Sequence, residues 1–271
     1  MALRINMNTS ALNAHRQLQG TDTALGVSIE RLSSGFRINR AADDPAGLAI
    51  SENLRAQVSG LGQAISNSSD AVNMIRTAEG ALSEVHTLLR TMRNLALHAA
   101  NTGTNDETSI AADQTQIESS LAALNRIASN TQFGTKKLLD GSATGLIFQV
   151  GANANQTTSV DISGVSASDL SIDDIDVTSD AQAAITALDN AISSISTLRA
   201  KLGATQRDLE SNISSLGIAK ENIAASESSI RDADMAGEMV TFTRNQILLQ
   251  AGTAMLTQAN QAPQALLSLL R

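Results

Sequence analysis

Residues 188–230 read LDNAISSISTLRAKLGATQRDLESNISSLGIAKENIAASESSI. A large aliphatic side chain returns at every seventh position: Leu188, Ile195, Leu202, Leu209, Leu216, Ile223 and Ile230. That stride keeps one face of an α-helix against a partner, so the run predicts the seam of a helical bundle or coiled coil. Ile185, Ile192, Leu198 and Ile213 widen the stripe. Ser179 with Gln182 fits a capping box and sets the expected helix start near residue 180. A helix over 180–230 would run roughly 75 Å at ~1.5 Å per residue.

Working outward, a second long helix is predicted from 45 to about 100, with Asp44 as N-cap and Pro45 as its first residue. Its seam reads Leu54, Leu61, Ser68, Ile75, Leu82, Leu89, joined by Val58, Ile65, Val72, Ala78, Val85 and Met92. Asn101-Thr102-Gly103 stops it. Thr104 with Glu107 suggests another capping box, followed by a helix over 106–129 carrying Ile110, Ile117, Leu121, Leu124 and Ala128. Three helices with heptad faces want to bundle. Residues 131–178 break the pattern: Asp140-Gly141 signals a turn, while Leu146–Val150 and Ser159–Ser163 read as short strands of one or two β-hairpins. The predicted fold is mainly α, a long antiparallel helical bundle with a small β-hairpin region.

The same stride marks both ends, at Ala11, Leu18, Leu25, Leu32 and at Leu248, Met255, Ala262, Leu269 with Ala259 and Leu266. Residues 240–271 hold eleven large apolar side chains, each worth at most ~1.5–3 kcal/mol when fully buried. Ordering the arm costs ~1–2 kcal/mol per residue in backbone entropy. A lone helix buries only part of its stripe, so both arms are expected to be largely disordered in the monomer and to become helical on assembly.

Composition narrows the function. Of 271 residues only 1% are aromatic, four Phe with no Tyr or Trp, so no stacking platform for nucleic acids or sugars exists. A formal net charge of −8 argues against an extended nucleic-acid surface. The absence of cysteine excludes disulfides, thiolate metal sites and cysteine nucleophiles. Residues 1–40 carry a net of +3 and residues 240–271 a net of +2, leaving −13 between them; the ends are expected to share one environment and the middle another. No run approaches the ~18–20 apolar residues of a membrane span. The stretch Met1–Asn8 lacks the apolar block of a cleaved secretory signal, so a protein of this sequence that leaves the cell is expected to go by a route that does not read one.

Candidate chemistry is thin. His15, His86 and His98 are scattered without metal-ligand spacing, and no cofactor motif is present. Asp173-Asp174-Ile175-Asp176 with Asp180 lacks the glycine and closing glutamate of a calcium loop, and reads as a solvated turn leading into a helix cap. Arg37, Arg40 and Asp43-Asp44 read equally as an intersubunit ion pair or a solvated linker. Neither a catalytic nor a metal site is expected.

Longer motifs point further. Leu32-Ser33-Ser34-Gly35-Phe36-Arg37-Ile38-Asn39, followed by Ala42-Asp43-Asp44-Pro45-Ala46-Gly47-Leu48-Ala49-Ile50, closely resembles the N-terminal signature of bacterial flagellins. Ile230-Arg231-Asp232-Ala233-Asp234-Met235-Ala236, Gln246–Thr253 and the closing Gln258–Arg271 resemble the C-terminal signature. Thr131-Gln132-Phe133-Gly134 is similar to the family's link into its hairpin. The resemblance implies an inner domain of paired terminal helices, 1–42 with 232–271, lining a filament, and a long-helix domain over 43–231 with its hairpin at about 131–178. About 40 residues separate Asp140 from Asp180, so no variable outer domain is expected.

The implied role is a self-assembling subunit of the extracellular flagellar filament, used in swimming motility and not in catalysis. It is exported unfolded through a type III apparatus and folds at the filament tip. Implied partners are further copies in a helical homopolymer, the export apparatus, a chaperone on residues 232–271, and cap and junction proteins; nucleic acid and membrane insertion are not implied. Filament-core contacts are expected at Leu18, Leu25, Leu32, Leu248, Met255, Leu266 and Leu269. In the family the hairpin region is implicated in switching the filament's supercoil.

Many members are recognised by a mammalian Toll-like receptor through a Gln-Arg-Val-Arg-Glu-Leu stretch. Here Arg90-Thr91-Met92-Arg93-Asn94-Leu95 stands in its place, with Gln116 and Ser120 on the facing helix, so recognition is expected to be weak. Thr157, Thr158 and Ser159 are glycosylation candidates by family habit and otherwise a polar hairpin. A hook–filament junction protein shares the N-terminal signature, but the closing Leu-Leu-Ser-Leu-Leu-Arg argues against it. A signalling coiled coil would need an anchor or adaptor site. An enzyme would need a convergent polar constellation.

Overall fold

A computed structural model of the chain describes residues 7–269, with side chains described as far as Gln261. Its elements run α1 (Thr9–Ser34), α2 (Pro45–Ala99), α3 (Glu107–Asn130), β1 (Gln132–Phe133), β2 (Lys136–Lys137), β3 (Leu146–Gln149), β4 (Thr157–Val160), α4 (Ala181–Arg231) and α5 (Met235–Leu269). The chain forms two compact units, residues 57–221 and residues 1–56 with 222–271. The division falls inside α2 and α4, some way from the expected limits at 42/43 and 231/232.

The 57–221 unit holds the core. Leu82, Val85, Leu89 and Met92 of α2 are fully buried, with Ile117 and Leu124 of α3 and Leu188, Ile195, Leu202 and Leu209 of α4. Leu216 is half-buried. The ion pairs Arg93–Asp189 (2.5 Å), Arg199–Glu79 (3.5 Å) and Arg76–Glu210 (3.0 Å) climb α2 as they descend α4, so the two helices are antiparallel. These pairs are half exposed and fix register more than they add stability.

Caps explain where the helices begin. The Asp44 carboxylate accepts the Gly47 N–H at 2.9 Å, as the sequence predicts. A Cβ on Gly47 would lie 2.4 Å from Asp44 Oδ2 and 2.8 Å from Ile38 Cδ1, so only glycine fits there. The other two expected capping boxes are corrected. Asp106, not Thr104, caps α3 by accepting the Ser109 N–H at 2.9 Å. Asp180, not Ser179, caps α4 by accepting the Ala183 N–H at 2.9 Å. In both cases a carboxylate sits at the helix boundary and takes the orphan donor more strongly than the hydroxyl upstream.

The β region comprises two antiparallel hairpins, β1–β2 and β3–β4, the latter pairing Leu146 with Val160 through Gln149 with Thr157. The second strand lies slightly earlier than predicted. Buried Val160, Ile162, Val165, Ile172, Ile175 and Val177 extend the helical core into this segment. Irregular backbone needs partners, and helix amides supply them. Asn67 and Asn212 donate to the carbonyls of Gln149 and Val150, each at 3.1 Å. Asn125 accepts the Ala167 N–H at 2.9 Å. Gln114 accepts from Val177 N–H and donates to Ile175 C=O, both at 3.0 Å.

Several carboxyls sit below the usual range because donors favour their charged form. The Ser142 hydroxyl does this for Asp140, the Thr178 hydroxyl for Asp176, Arg93 for Asp189, and Gln206 and then Arg76 for Glu210. Their folded pKa values lie below the unfolded ones, so their contribution is complete above roughly pH 5–6 and is lost as pH falls through the unfolded and then the lowered values. Urea midpoints are therefore expected to hold steady at neutral pH and fall in acid below that range; a midpoint rising in acid would contradict this.

Ser68 is wholly buried in the α2 seam and its hydroxyl has no hydrogen-bond partner. Ser68→Ala is expected to raise stability by about 1 kcal/mol, since it removes an unpaired buried polar group. Leu82→Ala is expected to lower it by about 2–5 kcal/mol through an unfilled cavity. Denaturant titration of the helical signal checks both signs.

Candidate assembly surface

The remaining unit is built on α1 and α5, which run antiparallel. Asn8 meets Ala259, Leu18 meets Gly252 and Arg31 meets Glu238 (3.7 Å). The contact is close because small residues line it. A Cβ on Gly252 would lie 2.8 Å from Leu18 Cδ1, and Thr21 and Ser28 are buried on α1. Leu18, Leu25 and Leu32 are half-buried along the same face of α1.

Each end of the pair is fastened by backbone chemistry. The Asn8 carbonyl oxygen Oδ1 accepts the Ala11 N–H at 3.1 Å and so caps α1. Its Nδ2 donates to Ala259 C=O at 2.8 Å. An α-helical carbonyl at 259 would ordinarily accept from the N–H of residue 263, but that residue is a proline and has none. Asn8 therefore occupies an acceptor that the sequence of α5 leaves free.

At the other end, the links α1–α2 and α4–α5 pair with each other. Phe36 and Asp232 form an antiparallel bridge. Arg231 C=O accepts from the Arg37 and Ile38 N–H groups at 2.7 and 3.4 Å, and Gly35 C=O accepts the Ala233 N–H at 2.9 Å. Gly35 has φ 77° and ends α1 in the left-handed region. The Arg231 guanidinium lies 4.9 Å from the centroid of the Phe36 ring and 2.5 Å from Glu52 Oε1. The Arg37 side chain donates to Ile230 C=O, and Arg40 pairs with Glu30 at 2.8 Å. Asp43 accepts the Arg40 and Asn39 N–H groups, which hold its carboxyl below the usual range. The four charged residues read from the sequence as an intersubunit pair or a solvated linker thus make contacts within the chain.

This unit has almost no core. Among the described residues, Ile38 is its one buried hydrophobic side chain, whereas it holds eleven of the fifteen exposed large ones. Val240 and Ile247 are each 60% exposed, and with Met239 and Leu248 they line a shallow apolar groove along α5.

The C-terminal arm carries apolar residues on two faces. The half-buried face of α5 carries Phe242, Asn245, Leu249, Gly252, Leu256 and Ala259, while Leu248 and Met255 point outward at 49% and 64% exposure. Large apolar, small and polar residues share the half-buried face, so hydropathy alone does not tell it from the outward one. Leu266 and Leu269 lie outside the residues whose side chains are described. Of the α4 seam, Ile223 and Ile230 reach this unit and are half-buried.

Elsewhere the candidate chemistry disperses. His98 Nδ1 lies 2.6 Å from Asp113 Oδ2; His15 is exposed and His86 half-buried. In the acidic turn, Asp173 and Asp174 are exposed, Asp176 accepts from Thr178, and Asp180 caps α4. Among the described residues, no helix is long and apolar enough to cross a membrane.

Two regions of the chain match known families: residues 5–144 match the bacterial flagellin N-terminal helical region, and residues 185–270 the bacterial flagellin C-terminal helical region. The chain belongs to the bacterial flagellin family. It is 45% identical to the flagellin of Bacillus subtilis (strain 168), over 99% of this chain and 100% of that one. It is 49% identical to the flagellin of Halalkalibacterium halodurans, over 98% and 99%. A crystal structure of Bacillus cereus flagellin superposes with a TM-score of 0.51 at 27% identity, covering 56% of this chain and 88% of that one. In this flagellin the two matched regions contribute α1 and α5, and the β3–β4 hairpin falls between them.

The link at Asn8 is open to a direct check. Asn8→Asp keeps the cap acceptor of α1 but loses the donor to Ala259, so it is expected to weaken the α1–α5 pair by about 1 kcal/mol. Pro263→Ala restores an N–H to α5 and should remove the coupling between the two sites. A double-mutant cycle on amide protection of the pair measures this; additive effects would contradict it.

Proposed function

We propose that this flagellin is the structural subunit of an extracellular bacterial flagellar filament, a helical homopolymer that serves swimming motility and carries out no catalysis. Beside family membership, the observation that carries this reading is the coreless terminal unit with its eleven exposed large apolar side chains. Covering each would contribute up to ~1.5–3 kcal/mol, and nine of them lie along α1 and α5, a surface that further protein can cover. Repeating one heterologous contact generates a helical polymer. Leu18, Leu25 and Leu32 hold the pair together. Leu248 and Met255 face neighbouring copies, and Leu266 and Leu269 continue the same arm. The inner domain of 1–42 with 232–271 forms the filament core, and the 43–231 domain surrounds it.

In the single chain both arms are already helical. Each supplies the partner that the estimate for a lone arm lacks, but their outer faces stay wet. Order in the pair is therefore marginal until neighbours arrive. Such arms suit a chain that travels unfolded through a type III apparatus and folds at the filament tip beneath a cap. A chaperone on 232–271 would shield the same apolar face before export, and junction proteins would meet the filament's base. The hairpin region at about 131–178, held by helix amides, is the place for a supercoil switch.

Val240→Asp with Ile247→Asp is expected to raise the critical concentration for seeded polymerisation by about tenfold or more, since buried charges replace apolar contacts. Removing 240–271 should abolish filaments in negative-stain micrographs. Filaments of normal length from either variant would contradict the reading. In the stretch 90–95, Met92 is buried and Arg93 is bonded to Asp189, which leaves Arg90, Thr91 and Asn94 outward. Receptor-reporter cells are accordingly expected to respond weakly, and a nanomolar response would overturn that part.

A further inference from the structure

Among the described residues, methionine is divided between two environments. Met74 and Met92 lie in the 57–221 core at 3% and 0% exposure. Met7, Met235, Met239 and Met255 lie on the terminal unit at 65%, 45%, 49% and 64%. The wet sulfurs thus sit on or beside the surface that must become dry for the chain to polymerise. Met239 itself lines the α5 groove with Val240, Ile247 and Leu248, whose polar members are Thr243 and Arg244.

We propose that Met7, Met235, Met239 and Met255 are separate oxidation sites through which a peroxide reversibly blocks polymerisation of the free subunit. The inference rests on the assembly reading above. The thioether sulfur attacks one peroxide oxygen: an S–O bond forms and the O–O bond breaks. Sulfur gives up two electrons, the departing hydroxide takes the proton left on the transferred oxygen, and the products are a sulfoxide and water. The new S–O dipole is a strong acceptor on a flexible side chain that packs as a hydrophobe when reduced. Burying it against Val240, Ile247 or Leu248 strips its water, and these aliphatic side chains return no donor; the groove's donors are confined to Thr243 and Arg244. The core methionines are shielded, so the block acts on assembly and spares the fold. In a filament the same sulfurs are covered, which confines the switch to unassembled chains.

The test treats the full chain with hydrogen peroxide as monomer and as preformed polymer, with peptide mass mapping and seeded assembly as readouts. In the monomer, the four exposed methionines are expected to gain one oxygen each before Met74 or Met92 does, with helicity unchanged. The critical concentration should rise about tenfold, and methionine sulfoxide reductases should reverse it. In the polymer the same positions should be protected. A variant combining Met7→Leu, Met235→Leu, Met239→Leu and Met255→Leu, compared with its own untreated sample, should lose the peroxide response. Oxidised monomer that assembles like the untreated sample would overturn the proposal. So would a response that persists in the leucine variant, or sulfurs equally reactive in polymer and monomer. Untreated protein that never polymerises overturns the assembly reading, and this inference with it.

Discussion

Two antiparallel helices can bury only the strip along which they touch, and everything in the terminal unit follows from that limit. Each helix of the α1–α5 pair turns one face to the other and leaves the rest of its apolar surface in water. Ile38 is the one buried hydrophobic residue described there, so the unit is stabilised by backbone hydrogen bonds, a few ion pairs and a narrow seam. Such a unit is marginal by construction, because the entropy of ordering two arms is set against a half-made core. On the proposed assembly reading, other copies complete that core in the polymer. Residues 57–221 need no such help, since α2, α3, α4 and the hairpin segment enclose a continuous interior of their own.

The backbone links at both ends of the pair give this marginal unit a defined register. Asn8 performs two tasks with one side chain, capping α1 and satisfying the carbonyl that Pro263 leaves open. At the opposite end, Arg231 joins the two interhelical links through its carbonyl, the Phe36 ring and Glu52. These contacts set which faces remain outward, and hence which surface a neighbour meets. A subunit with the same apolar content but an unfixed register would present a different stripe to each neighbour and could not repeat one interface.

Much of the fold was legible in the sequence because heptads over α2 and α4 state helix, face and partner together. Boundaries shifted where an aspartate stood at the helix start, as at Asp106 and Asp180, because hydroxyl-based boxes were given priority over a stronger carboxylate cap. On α5, apolar residues stand on more than one face, so periodicity does not separate the face packed on α1, with Phe242, Leu249, Gly252 and Leu256, from the one left outward, with Leu248 and Met255. The links at Asn8 and Arg231 use main-chain atoms, which composition does not reveal. An asparagine preceding one terminal helix and a proline inside the other were the signal available. The amides of Asn67, Gln114, Asn125 and Asn212, which no pattern in the sequence marks out, anchor irregular backbone to the bundle.

The central claim is that the terminal helices are completed by neighbouring copies while the 57–221 core is complete alone. Hydrogen exchange, resolved by peptide and compared between monomer and filament, tests it most directly. The account predicts rapid exchange over α1 and α5 in the monomer and strong protection in the filament, with the Leu82–Met92 and Leu188–Leu202 stretches protected alike in both. Terminal helices already as protected in the monomer as those core stretches would contradict it.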